Sequence, residues 1–268
     1  MSFNKILATK EYINHLANKY QNIVEWEVLM NDTEYTNIKI NEGFLSPNIE
    51  HLTDLKNILN ERYIEDCSHY KGKKCIVIGN GGSVIENEMG EEIDKFDIIV
   101  RNNLARYEGF ENYVGSRTDI RFVSHKVFGN ILDTNEYSAY DKDYIPTSEK
   151  HHLIIRSAGN IGSMLPGFLI NINGGNNIFS VLDIDYNRYL DKLASSHHLC
   201  TVGFSSVLTM LDLGCDVTIY GMDFYDSTKK HHYFEENAES IKRSHNHSIK
   251  QEHDYIENLV KIGKIKKL

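Results

Sequence analysis

Cys75-Ile-Val-Ile-Gly-Asn-Gly-Gly-Ser83 is the stretch whose reading decides the fold. Its apolar residues do not alternate with polar ones, which fits a strand covered on both faces, as in a parallel sheet. The glycines that follow let the backbone turn sharply and let its N–H groups approach a phosphate. The spacing is neither Gly-x-Gly-x-x-Gly nor a P-loop with its lysine, so neither common nucleotide fingerprint applies. Taken alone, the turn is equally a tight strand-to-helix connection with no ligand. Asn80 offers an amide that can donate to a phosphate oxygen or a sugar hydroxyl.

Working outward, similar apolar runs recur at residues 96–100, 120–123, 153–155 and 217–220. Helical patterns separate several of them, at 186–194, 204–213 and 249–262. Strands alternating with helices predict an α/β fold: a single Rossmann-like, mostly parallel sheet flanked by helices, over residues 73–268. Residues 1–72 are polar and read as a helical N-terminal extension packed on that domain. Its helices are expected at 10–20 and 49–63, the second with Leu52, Leu55, Ile58 and Leu59 on one face. Residues 23–29 fit a strand or a helix. Residues 173–177 are a turn, and 126–150 have the low periodicity of a loop over a site.

The 268 residues carry a formal net charge of −9. That excludes a general nucleic-acid binder, which needs excess cations against a phosphate backbone. No apolar stretch is long enough to span a bilayer, and Met1-Ser-Phe-Asn-Lys-Ile is not followed by a signal-type apolar core. The expected compartment is the cytoplasm. Cys67, Cys75, Cys200 and Cys215 are few and widely spaced, as expected of reduced, partly buried thiols. The end, Lys261-Ile-Gly-Lys-Ile-Lys-Lys-Leu268, reads as a solvated helix terminus, with weak peripheral attraction to an anionic membrane as the second reading.

Residues with chemistry cluster at the ends of the strands. Arg101-Asn102-Asn103 closes the second run, where open α/β sheets bind ligands. Asn103 is a candidate contact, and Arg101 is as readily an ion-pair partner of Asp97 or Asp119. Thr201 caps the helix that starts near Gly203, or touches a ligand at its positive end. Tyr225, in Gly221-Met-Asp-Phe-Tyr225, and Tyr233 carry hydroxyls able to donate to a leaving phosphate, or are semi-buried packing residues. Of 13 histidines, His231, His232, His245, His247 and His253 fall within one short window. His245 and His247 would diverge on a helix, and His247 and Glu252 miss the His-Glu-x-x-His spacing, so no metal ligands are assigned. A general base suits His247, since an imidazole titrates near working pH.

The ordered set of patches resembles the sialyltransferases, both the animal-type family with four sialylmotifs and the bacterial lipooligosaccharide enzymes. The segment from Cys75 to Val84, with Ile93-Asp94, Arg101-x-Asn103 and Val114-Gly-Ser-Arg-Thr118, is similar to the large motif. Thr201-Val-Gly203 through Cys215-Asp-Val-Thr-Ile-Tyr-Gly221 is similar to the small motif. His232-Tyr-Phe-Glu235 resembles the third, and His247 with Glu252 the last. Gly221-x-Asp-Phe-Tyr225 resembles the strand-end sequence of the bacterial enzymes.

The resemblance implies an inverting, metal-independent glycosyltransferase with no cofactor, a CMP-sugar being its donor substrate. His247 would take the acceptor proton, with Tyr225, Tyr233 and His232 at the departing phosphate. Gly79, Asn80, Gly81, Ser83, Asn103, Thr201, Gly203 and Asp223 would hold the donor. The partners implied are a CMP-activated acidic sugar and an oligosaccharide, glycolipid or capsular glycan acceptor. Val202 stands where the small motif has a second hydroxyl residue, which leaves room for Kdo or another acidic sugar in place of sialic acid. Cys75 and Cys215 match the positions of the animal family's disulfide. The rival classes are a metal-dependent hydrolase using the histidine-rich window and a non-catalytic nucleotide-binding module.

Overall fold

The computed structural model describes residues 5–13, 61–128, 151–156, 177–195, 199–224, 226, 228–234 and 247–268. Each apolar run is a strand: β1 (Lys74–Ile78), β2 (Ile98–Asn102), β3 (Ile120–Ser124), β4 (His152–Arg156) and β6 (Asp216–Tyr220). Two further strands join them, β5 (Ile178–Val181) and β7 (Lys266–Lys267). The order is β5-β4-β3-β2-β1-β6-β7. All six pairings are parallel, with Cys75 beside Ile98 on one side and Val217 on the other. From β1 the chain builds outward through β5, then returns to β1's other side with β6. Ligand crevices in open α/β sheets lie at such a reversal, outside the strands' C-terminal ends.

Helices cover both faces, which is why these strands read as continuous apolar runs. On one face Cys75, Val77, Val100, Phe122 and Ile219 pack with helices α4 (Ile184–Ala194), α5 (Val202–Asp212) and α6 (Ile249–Lys261). On the other, Ile76, Ile78 and Ile99 pack with Val84 from a 3-10 turn (Gly82–Ile85) and with the one-turn helices α1 (Gly90–Ile93) and α2 (Glu111–Val114). A further turn, α3 (His125–Phe128), follows β3.

The outer edge of β5 is closed by the N-terminal region. Leu7 bridges Leu182 and Tyr63 bridges Phe179, so an edge that would present unpaired N–H and C=O groups is covered. Of the expected N-terminal helices, residues 10–13 and 61–62 are helical. Residues 14–20 and 49–60 of those helices, residues 23–29, most of the 126–150 loop and nearly all of the 173–177 turn lie outside the described residues, and Tyr63 is a bridge residue rather than a helix end. Beneath this edge His152 is buried between Tyr70 Oη and Ser180 Oγ, each 2.7 Å from a ring nitrogen. Burial pulls its pKa down to about 3, so the ring is neutral.

Two expectations change. Arg101 is no ion-pair partner of Asp97 or Asp119. Its guanidinium is fully buried, donating to Thr118 Oγ1 at 2.9 Å and to the carbonyls of Val114, Gly115 and Arg117. Asp97 instead accepts from Lys74 N, and Asp119 pairs with Arg117. The C-terminal lysines are only in part a helix end: Lys261 closes α6, while Lys266 and Lys267 form the edge strand and pair with Asp216 and Glu257.

Candidate active site

The loops after β1 and β6 meet at the reversal point. Gly79 N donates to Tyr220 O (2.7 Å), Gly81 N to Gly221 O (3.1 Å) and Gly82 N to Lys230 O (2.9 Å). Ser83 N donates to Asp223 Oδ2 at 2.8 Å, and Ser83 Oγ to Asp223 Oδ1. A Cβ on Gly79 would stand 2.2 Å from Gly221 O, and one on Gly81 would stand 2.3 Å from Asp223 Oδ2. These glycines therefore let two backbones touch. The amides expected to face a phosphate are engaged with the β6 loop, and Ser83 and Asp223 lock each other.

Asn80 also differs from expectation. Its Nδ2 donates to Asn102 O at 3.3 Å, while its Oδ1 is buried with no partner among the described residues. Asn102 repeats the pattern, with Nδ2 on Ile78 O at 3.1 Å and a buried Oδ1 lacking a partner. What these amides leave over is buried acceptor oxygens, whose chemistry suits a hydroxyl or an amino group rather than a phosphate. Asn103 is the complement. It sits at φ 50°, a left-handed conformation that asparagine tolerates. Its Oδ1 accepts from Ser124 N at 3.0 Å, so its remaining group is the Nδ2 donor.

Phe224 leaves the β6 loop at φ 47°, where a bulky residue is strained. Its ring meets His253 of α6 edge-on at 4.9 Å, joining the β6 loop to the last helix. Tyr225 lies outside the described residues. Tyr233 is almost completely buried, its ring edge-on to Phe110 at 5.0 Å and its hydroxyl donating to Arg106 O. Its N–H holds Asn80 O at 2.9 Å. Burial pushes its pKa up to about 12. Its single donor proton is engaged in the core, so the expected donation to a leaving phosphate gives way to bracing the glycine turn. His232 is half-buried and stacked on Phe234 at 5.2 Å.

On the other rim, the segment before α5 meets the segment before α6. Thr201 caps α5, its Oγ1 accepting from Phe204 N at 3.0 Å. A Cβ on Gly203, in the first turn, would meet nothing nearer than Thr201 Oγ1 at 3.9 Å, so the N–H groups of that turn are approachable. His247 immediately precedes the α6 N-cap Ser248. Its Nδ1 is 2.7 Å from Leu199 O. A carbonyl only accepts, so Nδ1 carries the hydrogen and Nε2 the lone pair, the tautomer a base needs. Glu252, one turn into α6, accepts from Thr201 N at 2.8 Å and from Thr201 Oγ1 at 2.5 Å. It is buried, and that burial pushes its pKa up to about 7. Among the described residues no three His, Cys, Asp or Glu side chains converge as a metal site would require.

The family profile of glycosyltransferase family 29 (sialyltransferase) matches residues 16–264, nearly the whole chain. The chain belongs to that family. A rat CMP-N-acetylneuraminate-beta-1,4-galactoside alpha-2,3-sialyltransferase is 26% identical over 219 residues, covering 70% of this chain and 55% of the relative. The chain thus spans about half the length of that relative. A beta-1,6-galactosyltransferase of Arabidopsis thaliana is 37% identical over 71 residues, 26% of this chain and 16% of the plant protein. The crystal structure of a mammalian sialyltransferase superposes with a TM-score of 0.63 at 18% identity, covering all of this chain and 91% of that one, a likeness of fold. The family 29 chain thus has the expected single α/β sheet. Sequence reasoning did not single out Glu252 beyond its place in the last motif, nor Leu199. The signal for Leu199 is a carbonyl, and no side chain reports that.

Proposed function

We propose that the chain transfers sialic acid, or a related acidic sugar, from a CMP donor to a glycan hydroxyl, with inversion and without a metal ion. The observation that carries this reading is His247, held by the Leu199 carbonyl with Nε2 as the accepting nitrogen, at the C-terminal side of the sheet. In the proposed step the acceptor hydroxyl's proton passes to Nε2. Its oxygen forms the new bond to the anomeric carbon, and the bond to the phosphate oxygen breaks to release CMP. The α5 first-turn amides at Gly203 suit an anionic group of the donor. Asn103 Nδ2 suits its phosphate, and the Asn80 and Asn102 oxygens suit its hydroxyl or amino groups. The acceptor in this reading is an oligosaccharide, glycolipid or capsular glycan, and the site of action is the cytoplasm.

The experiment is CMP release from CMP-N-acetylneuraminate with a β-galactoside acceptor, with and without EDTA, alongside thermal shifts with CMP and UDP. CMP should stabilise the fold and UDP should not. EDTA should leave turnover unchanged, and His247→Ala should lower kcat by about 10²-fold or more. Stabilisation by UDP alone, as a galactosyltransferase would show, refutes the donor assignment. Undiminished turnover in His247→Ala refutes the base.

A further inference from the structure

Three consecutive residues before α5 are each held by a side chain from another element. Leu199 O accepts from His247 Nδ1 at 2.7 Å. Cys200 N donates to Asp191 Oδ1 of α4 at 2.8 Å, and Asp191 is itself paired with buried Arg156 at the end of β4. Thr201 N and Oγ1 donate to the two oxygens of Glu252. The first and third clamps both lead to the start of α6. The segment that orients the His247 ring is therefore fixed by a carboxylate five residues further along His247's own chain.

We propose that Glu252 is a positioning residue for His247: by holding Thr201 it fixes the Leu199–Thr201 segment, and so places the carbonyl that orients the imidazole. The proposal rests on the reading of His247 as the base.

The hydrogen-bond directions support it. Thr201 Oγ1 already accepts from Phe204 N, so its own hydrogen goes to Glu252 Oε2. Glu252 Oε1 accepts a backbone N–H. Both oxygens act as acceptors, which the ionised carboxylate does best. The groups facing it are Thr201 at the α5 cap, Arg156 from β4 and Asp191 from α4. Burial raises its pKa, while Thr201 and Arg156 favour the charged form. A glutamine keeps the shape but presents one acceptor and one donor, so one of the two Thr201 donors is left facing an N–H. Thr201→Val deletes the hydroxyl from the other side of the same clamp.

The experiment is a double-mutant cycle on kcat for CMP release from CMP-N-acetylneuraminate with a β-galactoside, using Glu252→Gln, His247→Ala and the double variant. Melting temperatures are recorded for each. Glu252→Gln should lose about 10- to 100-fold in kcat, the scale of a misplaced catalytic group, with donor KM little changed. In the His247→Ala background the same change should cost almost nothing further. Thr201→Val should behave like Glu252→Gln, and Thr201→Ser should recover most of the loss. Equal losses in both backgrounds, or an unchanged kcat, overturn the proposal. If Glu252→Gln does not fold, the Thr201 pair decides in the same way.

A second readout does not need turnover. In histidine-15N-labelled protein the His247 imidazole signals, assigned by their loss in His247→Ala, should show the Nδ1–H tautomer in the parent and a mixture in Glu252→Gln. An unchanged tautomer overturns the positioning role. A parent that does not consume CMP-N-acetylneuraminate sinks the functional reading instead and leaves the imidazole test intact.

Discussion

Two glycines that look alike in the sequence should fail in opposite ways when changed to alanine. On Gly79 the new methyl would lie 2.2 Å from Gly221 O, 2.6 Å from Gly221 C and 2.9 Å from Met222 N. All three are backbone atoms, and ordinary contact begins near 3.4 Å. The two loops must separate by about 1 Å, which breaks or stretches the bonds from Gly79 N to Tyr220 O and from Gly81 N to Gly221 O. Overpacking costs about 1–3 kcal/mol and each lost hydrogen bond about 1 kcal/mol, so the loss should be about 3–5 kcal/mol. At roughly 2–4 °C per kcal/mol for a chain of this size, Tm should fall by about 6–20 °C. On Gly203 the methyl meets only Thr201 Oγ1, at an unstrained 3.9 Å, and the residue lies in the first turn of α5. Alanine there should leave Tm unchanged or raise it by a few degrees, since it restricts the unfolded chain. Its methyl would stand where the proposed donor's anionic group would reach the helix amides, so CMP-N-acetylneuraminate should bind about tenfold or more weakly. Differential scanning fluorimetry and calorimetric titration of both variants check this. A Gly79→Ala protein melting within 2 °C of the parent would falsify the backbone-contact argument, and unaltered donor binding in Gly203→Ala would remove the ligand from α5.

Tyr233→Phe deletes a hydroxyl whose proton goes to Arg106 O, so it should lower Tm by a few degrees, about 1 kcal/mol, while kcat for CMP release stays within about threefold of the parent; a loss of about 10²-fold with unchanged Tm would return the tyrosine to the leaving phosphate. Oxidised glutathione should link Cys75 to Cys215, which the pairing of Lys74 with Asp216 brings side by side in one core, before it links Cys67 or Cys200, as peptide mapping would show. Stability against acid should depend on two buried groups with opposite slopes. His152, held neutral by burial with its pKa near 3, lets the unfolded chain take up a proton that the folded chain refuses below about pH 6.5, which destabilises the fold as pH falls. Glu252, raised from 4.5 to about 7 by burial, binds its proton in the folded state first, which stabilises the fold as pH falls from about 7 to 4.5. The two offset each other in the parent between about pH 4.5 and 6.5; in Glu252→Gln the histidine's slope of about 1.4 kcal/mol per pH unit should be exposed, costing about 2 kcal/mol between pH 6.5 and 5 in urea unfolding, and an equally flat profile in both proteins would contradict the pairing.

What the sequence disclosed, and what it hid, follows from which atoms did the work. Strands β1, β2, β3, β4 and β6 announced themselves because helices cover both of their faces, and burial on two faces leaves an unbroken apolar run. Strand β5 did not, because Ser180 interrupts four residues whose outer edge is covered by residues 6–8 and 63–64, far away in the chain. Strand β7 is two lysines, and charge is how an edge protects itself, so it read as surface. The same division runs through the site. His247, Asn103, Thr201 and Gly203 stood out in the sequence because the role proposed for each rests on its side chain, or on the lack of one. Arg101 was misjudged because its partners are three carbonyls and a threonine rather than an aspartate. The glycine turn could be read either way because its N–H groups donate to the carbonyls of Tyr220, Gly221 and Lys230 and to the Asp223 carboxylate, about 140 positions away. Leu199 is the sharpest case. Its contribution to the His247 tautomer is a carbonyl oxygen that every residue type carries, held in place by Asp191 and Glu252 acting on its neighbours. A candidate base can therefore be picked out by its residue type, while the device proposed to orient it is visible only once the chain has brought residue 252 back to residue 201.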